Sequence, residues 1–301
     1  LAAGREVVIS RGELVEIGGD FRVPDVLARS GYILKEVGTT NRTKLADYEK
    51  AIGENTAMLL RVHPSNYRII GFTSSPGNAK LAALAREKGV VFFEDAGSGA
   101  LVDLSEYGLG DEPLISRSVA EGADLVAFSG DKLLGGPQSG IIVGRRDLVE
   151  TIRRHPLYRA LRPDKLTYAA LEATLLAYER GTHFEEIPVL RMLSMPEAEI
   201  ETRATAFANE LRGKLPEGRS FDVDVMRGES AIGGGSAPGV HPETTLVALT
   251  GRSVSADEIE RRLRLGNPAV IVRIAEDKVL IDLRTVRPEH EKELMAAIAA
   301  V

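Results

Sequence analysis

The chain has 301 residues, of which 44% are hydrophobic and 27% charged, with five histidines, no cysteine and a formal net charge of -6. That apolar content can build a substantial core, and the length points to two domains. Disulfides, thiolate metal sites and cysteine nucleophiles are excluded, no metal is expected from histidines without ligand spacing, and the acidic balance argues against indiscriminate nucleic-acid binding.

The opening "LAAGREVVIS" reads as a helix end, a glycine stop and a strand, so a preceding segment is expected to be missing. It has neither the charged head nor the apolar stretch of a signal peptide. No run approaches the roughly 18 to 20 apolar residues that cross a bilayer, so no membrane partner and a cytoplasmic location are expected. Strands are predicted at 6–10, 32–37, 57–62, 90–95 and 123–129, with helical patterns such as "KLADYEKAIG" and "NAKLAALAREKG" between them. This alternation predicts a mostly parallel sheet covered on both faces. "GIIVGRR" follows the strand at 123–129 too closely for a helical crossover and is expected to run antiparallel.

The stretch 144–165 gathers Arg145, Arg146, Arg153, Arg154, Arg159, Arg162 and Lys165 into a basic patch. A long helix is predicted after it, ended by Gly181, as a link at 163–182 between a large domain at 1–162 and a small one at 183–301. The small domain reads as an α+β unit. It opens with a helix striped by Ile200, Ala204, Phe207, Leu211 and Leu215, carries strands "FDVDVM", "TTLVALT" and a pair within 269–286, and has a helix capped from Ser255 to Glu258. A last helix has Leu294, Ile298 and Val301 on one face. "SAIGGGSAPG" reads as a flexible loop.

Chemistry concentrates in "AFSGDKLLGGPQSG", 127–140. Its glycines follow the lysine, the reverse of a phosphate-binding P-loop, and "GSGALVD" lacks the third glycine of a dinucleotide fingerprint. What remains is a Schiff-base lysine, Lys132, with Asp95 as the acid that holds the ring nitrogen of pyridoxal phosphate protonated and Ser129 offering a hydroxyl to its phosphate. Asp95 and Lys132 both follow predicted strands, at the carboxyl edge where open α/β sheets bind ligands. Taken singly, a lysine in a turn is most simply a solvated charge, and an aspartate after a strand a helix cap.

Together "SRGELVEIGGDFRVPDV", "EVGTTNRTKLADYEKAI", "VHPSNYRIIGFT", "SGDKLLGGPQSGIIVG", "RALRPDKLTYAALEATL" and "IDLRTV" resemble the bacterial selenocysteine synthase family, from about Ser10 to the C-terminus. The resemblance implies a fold-type I pyridoxal phosphate enzyme: an α/β large domain, mostly parallel with one antiparallel strand, then a smaller α+β domain. It implies conversion of L-seryl-tRNA(Sec) to L-selenocysteinyl-tRNA(Sec) through an aminoacrylyl intermediate, with selenophosphate as donor. Lys132 is then the cofactor lysine, Asp95 the ring-nitrogen partner and Asp131 an active-site acid. Arg159 and Arg162, at helical i, i+3 spacing, meet the selenium donor, and His63 and Asn66 lie near the cofactor ring or its hydroxyl.

The family's rings of dimers imply a homo-oligomer, reduced to a dimer if the N-terminal tRNA-binding and phosphate-holding segments are absent. "EDAGSG" departs from the family in lacking leucine after the aspartate. Two alternatives remain at this point: a pyridoxal phosphate lyase or transferase acting on a free amino acid, and a catalytically inactive oligomer-core fragment.

Overall fold

In the computed structural model, which describes residues 1–301, the chain begins with β1 (Glu6–Ser10), α1 (Val23–Arg29), β2 (Ile33–Val37), α2 (Leu45–Ala51), β3 (Thr56–Val62) and α3 (Asn78–Lys88). β4 (Val91–Gly97), α4 (Ile115–Ala120), β5 (Leu125–Ser129) and β6 (Gly140–Gly144) follow. The strands pair in the order β2, β1, β3, β4, β5, β6, all parallel except β5 with β6. The reversal has the expected cause: the short connection between β5 and β6 leaves no room for a helical return.

β3 is buried along nearly its whole length, as a central strand covered on both faces must be, whereas the outer strand β6 alternates between exposed and half-buried. Alternate side chains feed two cores. Val8, Leu59, Phe92 and Val126 pack with Leu81 and Ala85 of α3, while Val7, Ile9, Met58 and Leu60 pack with Val23 of α1.

Next come α5 (Arg146–Arg153), α6 (Pro156–Ala160), α7 (Lys165–Arg180), α8 (His183–Glu186) and α9 (Pro188–Ser194). Asp164 caps α7, accepting from the backbone N–H groups of Leu166 at 2.7 Å and Thr167 at 3.1 Å, an arrangement worth about 1 kcal/mol. Leu171 and Tyr178 of α7 pack on the first of the two cores, so the predicted linking helix is part of the sheet unit. The chain divides into Leu1–Leu190 with Gly233–Val240, and Arg191–Ile232 with His241–Val301. The division therefore falls within α9, later than a boundary after 182.

The second unit contains α10 (Glu197–Lys214), β7 (Phe221–Glu229), β8 (Glu243–Gly251), α11 (Ala256–Leu265), β9 (Arg273–Ala275), β10 (Lys278–Asp282) and α12 (Glu291–Ala299). Its strands pair antiparallel in the order β7, β8, β10, β9. Phe207 and Leu211 of α10, Ile259 and Leu263 of α11, and Leu294 and Ile298 of α12 cover a sheet face made by Val223, Val247, Leu249, Val279 and Ile281. β9 starts only at Arg273, and the preceding Val270 and Val272 pack on this core outside any strand. No helix is long and apolar enough to cross a membrane.

Candidate functional site

β3, β4 and β5 are adjacent and parallel, so their carboxyl ends share one edge of the sheet. β4 is irregular there: Asp95 pairs with Ala127 and Gly97 with Phe128, leaving one extra residue on β4. A bulge of this kind re-aims the side chain beside it. The Gly97 N–H turns back to donate to Asp95 Oδ1 at 3.2 Å. Burial raises the Asp95 pKa, and the Gly97 N–H and the nearby Lys132 and His63 charges pull against that rise.

The turn after β5 is fixed by backbone contacts. Gly99 has φ 76°, and a Cβ there would lie 2.5 Å from the Ser129 carbonyl, so only glycine permits β4 and β5 to leave the sheet this close together. The Leu133 N–H donates to the Ser98 carbonyl at 2.9 Å, the Gly130 N–H to Ser139 at 2.8 Å and the Gly136 N–H to Gly130 at 2.7 Å. Lys132 is held, half-buried, within this turn. Gly235 faces it: a Cβ at that position would be 2.9 Å from Lys132 Nζ and 3.1 Å from Cε.

His63 follows β3, and its N–H donates to the Asp95 carbonyl at 2.9 Å. Its Nε2 lies 3.6 Å from Glu112 Oε2, with the two side chains 15% and 3% exposed. The other Glu112 oxygen accepts from the Ala237 N–H. Burial pushes the Glu112 carboxyl up, but the facing His63 and Ser98 groups and the Ala237 N–H outweigh it, and the net shift is downward. His63 Nε2, Glu112 Oε2 and Ser98 Oγ are all buried without a hydrogen-bond partner. Buried polar groups normally find a partner, and these three face one another at one edge, with His63 Nε2 and Glu112 Oε2 just beyond hydrogen-bond distance. A cavity of about 1030 Å³ has Asp95 and Ser129 in its wall, with Ser139, His155, Tyr158 and Tyr168.

Residues 1–287 match the family described as SelA: L-seryl-tRNA selenium transferase. The chain belongs to this family. The L-seryl-tRNA(Sec) selenium transferase of Carboxydothermus hydrogenoformans is 51% identical over 291 residues, covering 96% of this chain and 62% of that protein. The one from Hyphomonas neptunium is 51% identical over 286 residues, covering 94% and 61%. The chain thus spans about three fifths of the length of these relatives. A solved structure of D-glucosaminate-6-phosphate ammonia-lyase superposes with a TM-score of 0.61 over 98% of this chain and 71% of that one, at 21% identity. This likeness of fold agrees with the expected architecture, a mostly parallel sheet with one reversed strand followed by an α+β unit.

Of the residues singled out in the sequence, Lys132, Asp95, His63 and Ser129 lie at the one sheet edge. Asp131 is exposed in the same turn. Asn66 is also exposed, and its side-chain amide donates to the Glu16 carbonyl at 2.7 Å. Arg159 and Arg162 are exposed. α6 stops at Ala160, so Arg162 stands in the connection to α7 rather than on a helix shared with Arg159. Sequence reasoning missed Glu112, Ser98 and Gly235. Glu112 sits in "GDEPL" beside Asp111, whose side chain is 82% exposed, and nothing local tells the two acids apart.

Proposed function

We propose that the chain carries the cofactor-binding part of an enzyme that converts L-seryl-tRNA(Sec) to L-selenocysteinyl-tRNA(Sec), with pyridoxal phosphate as cofactor and selenophosphate as selenium donor. The reading rests above all on Asp95, on β4, and Lys132, in the turn after the neighbouring β5, lying at the same carboxyl edge of the sheet in a chain of the selenium transferase family.

The residues present suit pyridoxal phosphate. An amine is held in a tight turn, a half-buried carboxyl lies near enough to feel its charge, His63 Nε2 and Ser98 Oγ make no hydrogen bond of normal length, and the space over Lys132 is one that a Cβ at 235 would fill. In this reading Lys132 holds the cofactor, Asp95 its ring nitrogen and Ser129 its phosphate, with His63 and Asn66 beside the ring or its hydroxyl. When bound, pyridoxal phosphate supplies an electron sink for charge developing at the seryl Cα. Asp95 keeps the ring nitrogen protonated by its own negative charge. Lys132 Nζ, when free, removes the proton from Cα, and Asp131 serves as an acid next to it. Arg159 and Arg162 orient the selenium donor, since a guanidinium gives an oxyanion two directed, charged hydrogen bonds.

The assembly is proposed to be a homo-oligomer, a dimer or a ring of dimers. Leu157, Leu161 and Leu166 are 62%, 77% and 76% exposed, apolar side chains of the first unit that a second copy would cover. A substrate esterified to tRNA implies a cytoplasmic location.

Trapping with borohydride tests the reading. Pyridoxal phosphate is expected to be fixed on Lys132, as located by mass spectrometry, and Lys132→Ala is expected to abolish the adduct. Fixation on a different lysine in the full-length enzyme would overturn the assignment. In that enzyme, Arg159→Ala and Arg162→Ala should each lower selenium transfer by roughly one to two orders of magnitude while cofactor absorbance and seryl-tRNA binding persist. Unchanged transfer in both variants would return these arginines to the solvated surface.

A further inference from the structure

We propose that Glu112 is a positioning residue that latches the Gly233–Val240 loop against Lys132 and holds His63 in place at the end of β3. A carboxylate only 3% exposed is costly to bury unless its oxygens are paired. Neither oxygen of Glu112 has a lysine or arginine within ion-pair distance. Instead one accepts from the Ala237 N–H and the other faces His63 Nε2 at 3.6 Å. One side chain therefore addresses two chain segments far apart in sequence.

The loop needs such an anchor. Gly233, Gly234 and Gly235 in succession give it the largest backbone entropy to lose. Yet it is ordered against the first unit: Ser236 and Ala237 are 7% and 5% exposed, and the Val240 N–H donates to the Ala237 carbonyl at 3.1 Å. Ala237 takes φ 46°, a left-handed conformation that a non-glycine residue holds only when its surroundings impose it. The anchored N–H is two residues from Gly235, whose backbone lies on the Lys132 amine. The latch thus sets how closely the loop covers Nζ. Its consequence for catalysis rests on Lys132 being the cofactor lysine, but the ordering of the loop does not.

The test uses this chain without cofactor. Amide hydrogen exchange is followed in the wild type, Glu112→Ala, Glu112→Asp and Glu112→Gln, together with the rate at which acetic anhydride labels Lys132, read by mass spectrometry. In Glu112→Ala, exchange across 233–240 and labelling of Lys132 should each rise roughly tenfold, the scale of one lost charged hydrogen bond. Glu112→Asp keeps the charge but is one methylene short, and is expected to behave like the alanine variant. Glu112→Gln keeps an oxygen for the Ala237 N–H and should stay within about threefold of wild type.

Exchange in β1 and β3 reports whether a variant has lost its fold. If the alanine variant has, Glu112→Asp decides. Unchanged exchange and labelling in Glu112→Asp, or in a folded Glu112→Ala, overturns the proposal. If pyridoxal phosphate is trapped elsewhere while these rates still change, the latch stands and only the reading of Lys132 falls.

Discussion

The molecule contains two buried polar clusters built on opposite terms. In the second unit Arg284, 5% exposed, donates to Ser230 Oγ at 3.0 Å and to the carbonyls of Met192, Met195 and Glu243 at 2.8, 2.9 and 2.7 Å. The Ser230 and Thr244 hydroxyls donate onward to Asp282 at 2.6 and 3.0 Å. At the sheet edge of the first unit, His63 Nε2, Glu112 Oε2 and Ser98 Oγ are equally buried but unpaired. A closed network holds chain segments together. An open one leaves its members facing one another without a hydrogen bond of normal length.

Breaking the closed network should give the largest effect. Arg284→Ala strands three carbonyls in the interior and takes a donor from the Ser230 hydroxyl, and is expected to cost about 3–5 kcal/mol, measured as the urea midpoint followed by exchange in β7 and β8. Ser98→Ala removes a hydroxyl that makes no hydrogen bond of normal length and only a weaker approach to Glu112, and should stay within about 1 kcal/mol of wild type. Equal losses in the two variants would erase the distinction between the clusters.

Glu13 stands between these extremes. It is buried in the first unit with one backbone donor, the Val62 N–H at 3.1 Å, and burial pushes its carboxyl up to about 7, with Arg61 pulling it down and Glu94 adding to the rise. Because the folded value exceeds the ordinary 4.5, this group's contribution to stability is fully present below 4.5 and is lost as the pH rises through about 7. The loss is on the order of 3 kcal/mol. Glu13→Gln keeps an oxygen for the Val62 N–H and removes the titration, so the variant should gain on the wild type between pH 5 and 8. Urea midpoints that run parallel over that range would refute the assignment.

Much of this was legible before the structure. The strand ends that carry Asp95 and Lys132, and the reversal of β6, follow from apolar runs and the length of the gap between them. The family is carried by several motifs in one order. Glu112 and Gly235 were not legible, since one resembles an ordinary loop acid and the other belongs to a glycine run whose composition reports entropy but not an anchor. That run reads as a flexible loop, yet it packs on Lys132 because Glu112, remote in sequence, supplies the acceptor. The bulge at Asp95 was hidden for a similar reason: it is a property of the pairing with β5, not of β4 alone.

Tyr178→Phe probes a satisfied bond next to the open cluster. The hydroxyl donates to the Leu134 carbonyl at 3.0 Å, tying α7 to the turn that holds Lys132. Its removal should cost about 1 kcal/mol and speed amide exchange over 133–136, while the stacking of the ring on His183, with centroids 5.0 Å apart, is retained. A variant as stable as wild type, with unchanged exchange, would mean that the turn is held by its glycine contacts alone.

Asp95→Asn should have the smallest effect and the opposite sign. Burial is the main cause of the raised Asp95 pKa, so the ionised carboxyl is disfavoured in the folded chain, and the stability it contributes at low pH is lost as the pH rises through its folded value. Asparagine keeps the shape and an oxygen for the Gly97 N–H but has no charge to desolvate. At neutral pH the variant is therefore expected to be more stable by about 0.5–1 kcal/mol. The same change removes the negative charge that would hold a proton on the cofactor ring, so pyridoxal phosphate trapped on Lys132 by borohydride should fall. Gain in one measurement with loss in the other is the signature of a residue kept for its chemistry. A stability loss of the size expected for Arg284→Ala would instead place Asp95 among the groups that hold the fold together.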